Sequence, residues 1–360
     1  MSEVSFRCVG SRMSFFEKLA HQVSANTVDV ARREFSVTIA RAGDVDEFAE
    51  MVRGYRLGFM QIEKGPFVAE AVQTQFAGVL LSAAHYGRAM VQLGEPPSGK
   101  ITFAVLTSAV PALWQGRAFG PRDLLVGTPG VEMDMVSKAG YGGATASFPL
   151  ELVREMADHF GWARTSQAPT SSIIGLEPIK ADMLRTKLSE VFSEAIARPF
   201  NDQAAAWALS KQEDLLRALF SCISNPASKT TAVSNGERAR VLKAALAAIN
   251  DQPEDVLTVS DLCRIAKASE RTLDYAFTER FGLSPALYMK ARRLNEARSD
   301  LRRDHEHSMK VADIANKWGF WHLGQFARDY RNWFGELPSD TYQRTRGKTP
   351  SRDHGNIGLR

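Results

Sequence analysis

Short apolar runs separated by glycine and proline characterise the chain from residue 35 to about residue 145. Residues 35–39 alternate apolar and polar side chains, and the later runs are continuously apolar. Many short strands at regular spacing, with such turns between them, predict a β-barrel or sandwich. A helical pattern at 44–56 interrupts the strands. The later predicted strands are residues 76–81, 89–93, 101–106 and 123–126, and the glycine-rich residues 140–143 are predicted to form a turn.

A helical pattern replaces the strands near Pro149. Residues 149–157 predict a helix with proline in its first turn, and residues 163–175 predict a polar linker. Apolar side chains then recur at helical spacing over residues 178–197 and again over about 204–223. These two helices either pair two protomers or cover their own barrel, and the pattern leaves both interpretations open. The composition of residues 224–236 predicts a flexible linker.

The last third of the chain contains an internal repeat with an offset of 52 to 53 residues. The sequence Phe-Gly-Leu-Ser-Pro at 281–285 recurs as Phe-Gly-Glu-Leu-Pro at 334–338. Leu273 matches Phe326 at the same offset, and Phe277 matches Tyr330. An offset held over several positions indicates two copies of one helical unit.

Each copy has the layout of a helix-turn-helix. In the first, residues 258–261 resemble a capping box that starts a helix at 260–265, and Ser269 caps a second helix at 270–281. In the second, a helix at 312–317 and a turn at Gly319 lead to a helix over about 322–334. Ser284 and Pro285 start a helix to about residue 301 that joins the copies. The positions predicted to pack inward are Leu273, Ala276, Phe277, Leu323, Phe326, Tyr330 and Phe334.

The opposite faces of these second helices suit the major groove of DNA. If the joining helix sets the two units one DNA turn apart, roughly 34 Å, both enter successive grooves on one side. Arg328 is expected to bind a guanine edge bidentately, and Arg271 to do the same or to contact phosphate. Arginines of the joining helix would hold the DNA backbone, and they are Arg292, Arg293 and Arg298. The predicted DNA-binding residues are Arg271, Asp274, Tyr275, Thr278, Arg292, His322, Ala327, Arg328 and Arg331.

Composition and charge agree with a DNA-binding protein. The 360 residues are 44% hydrophobic and 24% charged, as expected for two or three globular domains. Residues 1–236 carry a net charge of −1 and residues 237–360 a net charge of +5. A basic end of the chain favours an anionic partner such as nucleic acid. Without a long apolar run or a signal peptide, and with three scattered cysteines (Cys8, Cys222 and Cys263), we expect a cytoplasmic protein with no membrane partner.

Residues 237–345 resemble the C-terminal domain of the AraC/XylS family of bacterial transcription regulators, most clearly over residues 314–339. The resemblance implies a seven-helix, double helix-turn-helix domain that binds promoter DNA, usually as an activator working with RNA polymerase. The chain departs from the family pattern in several places. In the second unit, Gly324 stands at the position equivalent to Arg271 and offers no side chain there. The first turn lacks the glycine of the second, and Asp274 would face the groove. We therefore expect sparse base readout by the second unit.

Family members often carry an effector-binding or dimerisation domain ahead of the DNA-binding domain, and many such domains resemble a cupin barrel. The predicted fold class is therefore a multi-domain α+β protein. Its expected parts are a cupin-like effector domain at 1–160, a helical linker or dimerisation segment at 161–236, the DNA-binding domain at 237–345 and a disordered tail at 346–360. A homodimer is expected.

Two kinds of effector site are compatible with the N-terminal sequence. One resembles a PilZ-type cyclic di-GMP site, with arginines suited to phosphate and guanine. Its arginines are one residue too far apart, and Met135 stands where an acid or amide is expected. The other is an apolar cavity lined by Phe76, Phe103, Trp114 and Phe119, for which core packing is the favoured interpretation. The candidate effector-binding residues are Arg7, Arg12, Arg32, Arg33, Ser137 and Gly140, with Arg41 as a further cation for an anionic ligand.

An enzyme is disfavoured by the motifs. A metal-dependent cupin needs a cluster of histidine and glutamate, whereas the barrel stretch has a single histidine, His85. Nucleophile-elbow, P-loop and dinucleotide-binding motifs are not found in the sequence. The main hypothesis is a DNA-binding regulator controlled by a small-molecule effector, with no cofactor. The alternatives are a cupin-type enzyme fused to a DNA-binding domain and a constitutive DNA-binding protein.

Overall fold

The computed structural model describes residues 28–32, 35–159, 172–197, 204–223, 236–251, 256–304 and 308–344. None of the helices in these ranges has an apolar stretch of the length that a bilayer span requires. Arg7, Arg12, Arg33 and the predicted tail at 346–360 lie outside the described residues.

The described N-terminal strands form two antiparallel sheets. The larger sheet has the order β1 (Val28–Arg32), β2 (Phe35–Ala42), β4 (Ala69–Phe76), β5 (Val79–Tyr86), β12 (Tyr141–Pro149), β7 (Lys100–Leu106), β10 (Asp123–Gly127) and β13 (Ser172–Gly175). The smaller sheet has the order β3 (Arg56–Gln61), β6 (Met90–Glu95), β11 (Met133–Ser137), β8 (Ala112–Trp114) and β9 (Arg117–Phe119). Each sheet ends in edge strands, so the described residues make a two-sheet sandwich. The predicted α+β class is confirmed. Of the two predicted alternatives, barrel or sandwich, the described strands form the sandwich, and no closed barrel is found among them.

The larger sheet is the central layer of the N-terminal domain. Phe103 and Val105 of β7 point into a core shared with helices α2 (Leu150–His159), α3 (Pro178–Ala197) and α4 (Ala204–Ile223). The alternate residues Ala104 and Leu106 point into a second core between the two sheets. Alternation along a strand places neighbours on opposite faces, which explains the two cores. Helices α3 and α4 therefore cover their own sheet.

The aromatic residues proposed as one cavity lining are divided between these cores. Phe76 and Phe103 belong to the core beside the helices, whereas Trp114 and Phe119 belong to the core between the sheets. All four are buried. The central sheet separates the two pairs, so a single cavity lined by all of them is not formed.

Two glycine-containing segments differ from the sequence prediction. Residues 76–81 are not one strand, because Ala77 (φ 44°) and Gly78 (φ 75°) turn the chain from β4 to β5. Two successive positive φ values are typical of the tight turns that join twisted strands. Only Gly140 of residues 140–143 has a positive φ, and β12 begins at Tyr141. A Cβ at Gly143 would lie 2.2 Å from the Tyr141 hydroxyl, so glycine is needed there for packing.

The described residues from 237 onward form seven helices around two small cores. The helices are α5 (Glu237–Asp251), α6 (Val259–Ala266), α7 (Glu270–Phe281), α8 (Pro285–Arg303), α9 (Val311–Lys317), α10 (Leu323–Phe334) and α11 (Pro338–Arg344). The first core is built around Leu262, Leu273 and Phe277, and the second around Phe326 and Tyr330. Equivalent residues of the internal repeat thus occupy equivalent places.

The outer face of the smaller sheet packs directly on the first of these cores. Met60, Ile62 and Val91 of the N-terminal domain are buried in the same cluster as Leu273 and Phe277. At this junction the Asn295 side chain of α8 accepts a hydrogen bond from the Gln61 backbone N–H and donates one to the Gln61 carbonyl, both at 3.0 Å. The two domains therefore share a continuous apolar and polar interface.

An ionic network extends this interface to the second core. Arg298 of α8 is only 1% exposed and lies 3.0 Å from Asp44 and 3.1 Å from Asp46, at the start of helix α1 (Val45–Met51). Arg302 of α8 contacts Asp44 at 2.8 Å and Glu50 at 3.0 Å. Arg298 was expected to hold the DNA backbone, but its burial between the domains gives it a structural role instead.

Candidate DNA-binding site

The first helix-turn-helix is fixed by two local caps. The Thr258 hydroxyl accepts from the Asp261 backbone N–H at 3.2 Å, and the Asp261 carboxylate accepts from the Thr258 N–H at 3.0 Å. This is the predicted capping box. Hydrogen bonds from the Thr258 hydroxyl and backbone lower the pKa of Asp261 to about 2. After a left-handed residue at Lys267 (φ 49°), the Ser269 hydroxyl accepts from the Thr272 N–H at 3.2 Å and starts α7.

The outward face of α7 carries the side chains predicted to contact DNA. All four predicted residues of this helix are exposed, whereas Leu273, Ala276 and Phe277 are buried beneath them. Side chains three and four positions apart share a helix face, so the exposed residues form one surface. They are Arg271, Asp274, Tyr275 and Thr278.

The Tyr275 ring organises two arginines on this surface. The Arg271 guanidinium lies 5.5 Å from the ring centroid and donates to the Tyr275 hydroxyl at 3.3 Å. Arg238 of α5 lies 5.7 Å from the same ring and pairs with Glu279 at 3.0 Å. Stacking of a guanidinium on an aromatic face is favourable. Arg238 was missed by the sequence reasoning, because only the packing of α5 beside α7 brings it to this face.

The second helix-turn-helix has a glycine turn and a different exposed surface. Gly319 has φ 73°, and a Cβ there would lie 2.4 Å from Cγ2 of Val256. His322 is the N-cap residue of α10, but its side chain makes no capping hydrogen bond. Among the other predicted contacts, Arg328 and Arg331 are exposed and Ala327 is half-buried.

Leu323 does not pack inward as predicted. It is 46% exposed, whereas Phe326 and Tyr330 on the same helix are buried. Leu323 has the spacing of a core residue, but it is the first residue of α10 and lies beyond the end of the core. The periodic pattern alone does not show where a core stops.

Arg292 is buried and contacts the protein itself. Its guanidinium donates to the carbonyl of Ile249 in the last turn of α5. The neighbouring Arg293 stacks on Phe320, with 5.2 Å between its guanidinium carbon and the ring centroid. The prediction of a DNA contact at Arg292 is therefore wrong for this structure, since the side chain satisfies a helix-end carbonyl away from solvent.

Of the predicted effector residues, Arg32, Ser137 and Gly140 lie in the part of the chain that the structure describes. Ser137 is fully buried, 2.8 Å from the Tyr86 hydroxyl and 3.3 Å from the Met90 carbonyl. Gly140 forms a turn, and Arg32 lies in β1. A PilZ-type site would require Ser137 to contact the ligand. Because Ser137 is buried, it is unavailable for that contact.

Two further polar residues of the N-terminal domain were considered as ligand or metal contacts, Arg41 and His85. Arg41 lies 4.0 Å from Glu70 on the exposed side of the sheet. His85 of β5 is half-buried, and burial lowers its pKa. Neither observation indicates a ligand.

Comparison with known proteins identifies the C-terminal region. A family model described as a helix-turn-helix domain matches residues 262–344. The probable thc operon regulatory protein of Rhodococcus erythropolis is 34% identical over 100 residues, which are 28% of this chain and 30% of that protein. XylDLEGF operon transcriptional activator 3 of Pseudomonas putida is 35% identical over 100 residues, with the same two shares. The chain thus matches about 30% of the length of these curated relatives.

One solved structure with similarity over more of the chain is that of the AraC-like transcriptional activator CuxR. It covers 72% of this chain and 86% of its own, at 14% identity and a TM-score of 0.35.

The matched region contains both helix-turn-helix units of the structure. It begins in α6 and ends with α11, and it includes residues 314–339, which carry the sequence resemblance. The relatives that share it are named as operon regulators and activators. Residues 262–344 are therefore a helix-turn-helix domain of the AraC/XylS family.

Proposed function

We propose that the protein is a DNA-binding transcription regulator, and specifically an activator, that contacts promoter DNA through both helix-turn-helix units. The observation that supports this most is the exposure of the outward faces of α7 and α10 within a domain of the AraC/XylS type. In such units the second helix enters the major groove. RNA polymerase is the further partner that an activator requires.

The proposed contacts divide into base readout and positioning. Arg271 and Arg328 bind guanine edges bidentately, and the Asp274 carboxylate accepts from a cytosine amine. Tyr275, Thr278, His322, Ala327 and Arg331 contact the backbone or neighbouring base edges. Arg238 adds a phosphate contact beside the first unit, because its guanidinium lies on the same surface as Arg271.

The test is a binding titration of the full chain on a duplex selected from a random pool. Arg271→Ala and Arg328→Ala should each weaken binding by about 1–3 kcal/mol at fixed salt, and each should relax preference at one base pair. The matched control is Arg217→Ala, which removes an exposed arginine of α4 that pairs with Glu213 at 2.5 Å. Failure to select any sequence, or unchanged affinity in both variants, would contradict the proposal.

We also propose that a small-molecule effector acts through the N-terminal domain. The support is the interface itself, in which the smaller sheet and α1 contact the cores and joining helix of the DNA-binding domain. An effector that favours one arrangement of this interface would shift the population competent for DNA. A thermal-shift screen of the full chain against nucleotides, sugars and aromatic acids tests it, since a ligand of the native state raises the melting temperature.

A homodimer is the proposed assembly. Ile179 on α3 and Leu209 on α4 are exposed apolar side chains on the outer helical layer. Sedimentation at several protein concentrations measures the mass, and a monomer at all of them would contradict the dimer.

A further inference from the structure

The start of α10 presents apolar side chains where a recognition helix meets bases. Trp321 is 68% exposed and Leu323 is 46% exposed, on either side of the N-cap residue His322. In a helix-turn-helix, the N-terminal residues of the second helix contact base edges in the major groove. The exposed apolar pair therefore lies at the end of α10 that approaches DNA in the proposed function, on which this inference rests.

The first unit has different chemistry at the equivalent positions. With the repeat offset of 53 residues, Ala268 corresponds to Trp321 and Glu270 to Leu323. Arg271, held by Tyr275, corresponds to Gly324. The first unit thus presents a guanidinium at this point, whereas the second presents an indole and an isobutyl group.

Gly324 leaves space between these apolar groups and Arg328. A Cβ built at Gly324 meets nothing within 4 Å, so the helix surface is open there. A base pair can approach the backbone of α10 more closely at this position than at Arg271. Gln325, the next residue, is also exposed.

The base edges of the major groove show which DNA fits this surface. The 5-methyl group of thymine is the apolar feature among those edges, and glutamine can bind adenine through N6 and N7. Both groups belong to A·T pairs. We propose that the second unit reads A·T pairs, with thymine methyl groups against Trp321 and Leu323 and an adenine edge on Gln325.

The test replaces thymine by deoxyuridine in the selected duplex, which removes the methyl group and keeps base pairing. For the parent protein, each contacted methyl should contribute about fourfold in affinity. Trp321→Ala should bind the thymine duplex more weakly than the parent does, and it should lose sensitivity to replacement of the thymine that the indole contacts. Val68→Ala, which truncates an exposed apolar side chain outside the DNA-binding domain, is the control.

The outcomes separate this inference from the proposed function. If Arg271→Ala weakens specific binding but no thymine replacement changes the affinity, the A·T assignment is overturned and the DNA-binding function stands. Equal losses for Trp321→Ala on both duplexes would also overturn it, because the indole would then contact something other than the methyl group. Replacing adenine by 7-deaza-adenine, which lacks N7, should weaken DNA binding by the parent but not by Gln325→Ala. Circular dichroism confirms that the variants are folded.

Discussion

Single residues at the two turns show how the same geometry is reached with different side chains. Lys267 and Gly319 are equivalent positions of the repeat, and both have a positive φ, at 49° and 73°. A residue other than glycine is strained in this region. The first turn tolerates a side chain, whereas the second has Val256 against the glycine. The missing glycine of the first unit therefore does not abolish the turn.

Gly319→Ala and Gly324→Ala should have opposite effects on stability. Alanine at 319 meets Val256 and requires a positive φ, so we expect a loss of about 1–3 kcal/mol in the free energy of unfolding. The Cβ of alanine at position 324 enters open space on a helix, so Gly324→Ala should raise the free energy of unfolding by up to about 1 kcal/mol. Urea unfolding measures both, and equal destabilisation by the two substitutions would refute the distinction.

The second helices of the two units, α7 and α10, differ in whether a neighbouring ring holds their arginine side chains in place. On α7, Tyr275 contacts both Arg271 and Arg238. Holding a long side chain in place before binding reduces the entropy lost on association. Tyr275 is thus a positioning residue in the proposed site as well as a contact. No equivalent ring lies at this position of α10, where the residue is Arg328.

Tyr275→Ala should weaken DNA binding by about fivefold to tenfold, because two guanidinium groups lose their support. Tyr275→Phe keeps the ring and loses only the hydroxyl, so it should stay within about threefold of the parent. Anisotropy titrations at several salt concentrations provide the measurement. If phenylalanine does not restore affinity relative to alanine, the ring does not position the arginines.

At the scale of the whole molecule, buried arginines connect the two domains. Arg298 contacts the carboxylates of Asp44, Asp46 and Glu336. Although burial opposes it, the charges of Arg298 and Arg302 hold the pKa of Asp44 below its usual range. Burial outweighs the same charges at Asp46 and raises its pKa. The network therefore contains two carboxyl groups whose pKa values are shifted in opposite directions.

Arg298→Met should destabilise the protein by about 3–5 kcal/mol, because the carboxylates remain buried without their cation. Arg217→Met is the control, since its exposed pair with Glu213 should contribute no more than about 0.5 kcal/mol. Urea unfolding followed by tryptophan fluorescence measures both changes. Similar stability for the two variants would contradict a structural role for Arg298.

The contribution of Glu336 should disappear in acid. Burial would raise its pKa, but hydrogen bonds from Arg344 and Thr341 and the charge of Arg298 lower it to about 2. A lowered carboxyl pKa stabilises the folded protein above the unfolded value, about 4.3, and that stability is lost as pH falls towards 2. The difference in unfolding free energy between the parent and Glu336→Gln should therefore narrow from pH 5 to pH 3. A constant difference would exclude this linkage.

Local patterns along the chain are sufficient to predict the two helix-turn-helix units. Capping residues, apolar spacing and the 53-residue repeat act within one helix or between adjacent helices, so they can be recognised along the chain. This is why α7 has the predicted bounds 270–281 and why the capping box at Thr258 is present. The class of the N-terminal domain also followed from its short strands and turns.

Packing between elements distant in sequence determines which charged and apolar side chains remain on the surface. Arg292 and Arg298 have the same side chain as Arg271 and Arg328, but packing against α5 and α1 buries them. Conversely, Leu323 has core spacing and stays exposed because the core ends before it. The division of the β-strands into two open sheets depends equally on contacts distant in sequence. Periodicity specifies the face of an element, whereas the partner that covers that face depends on how the whole chain packs.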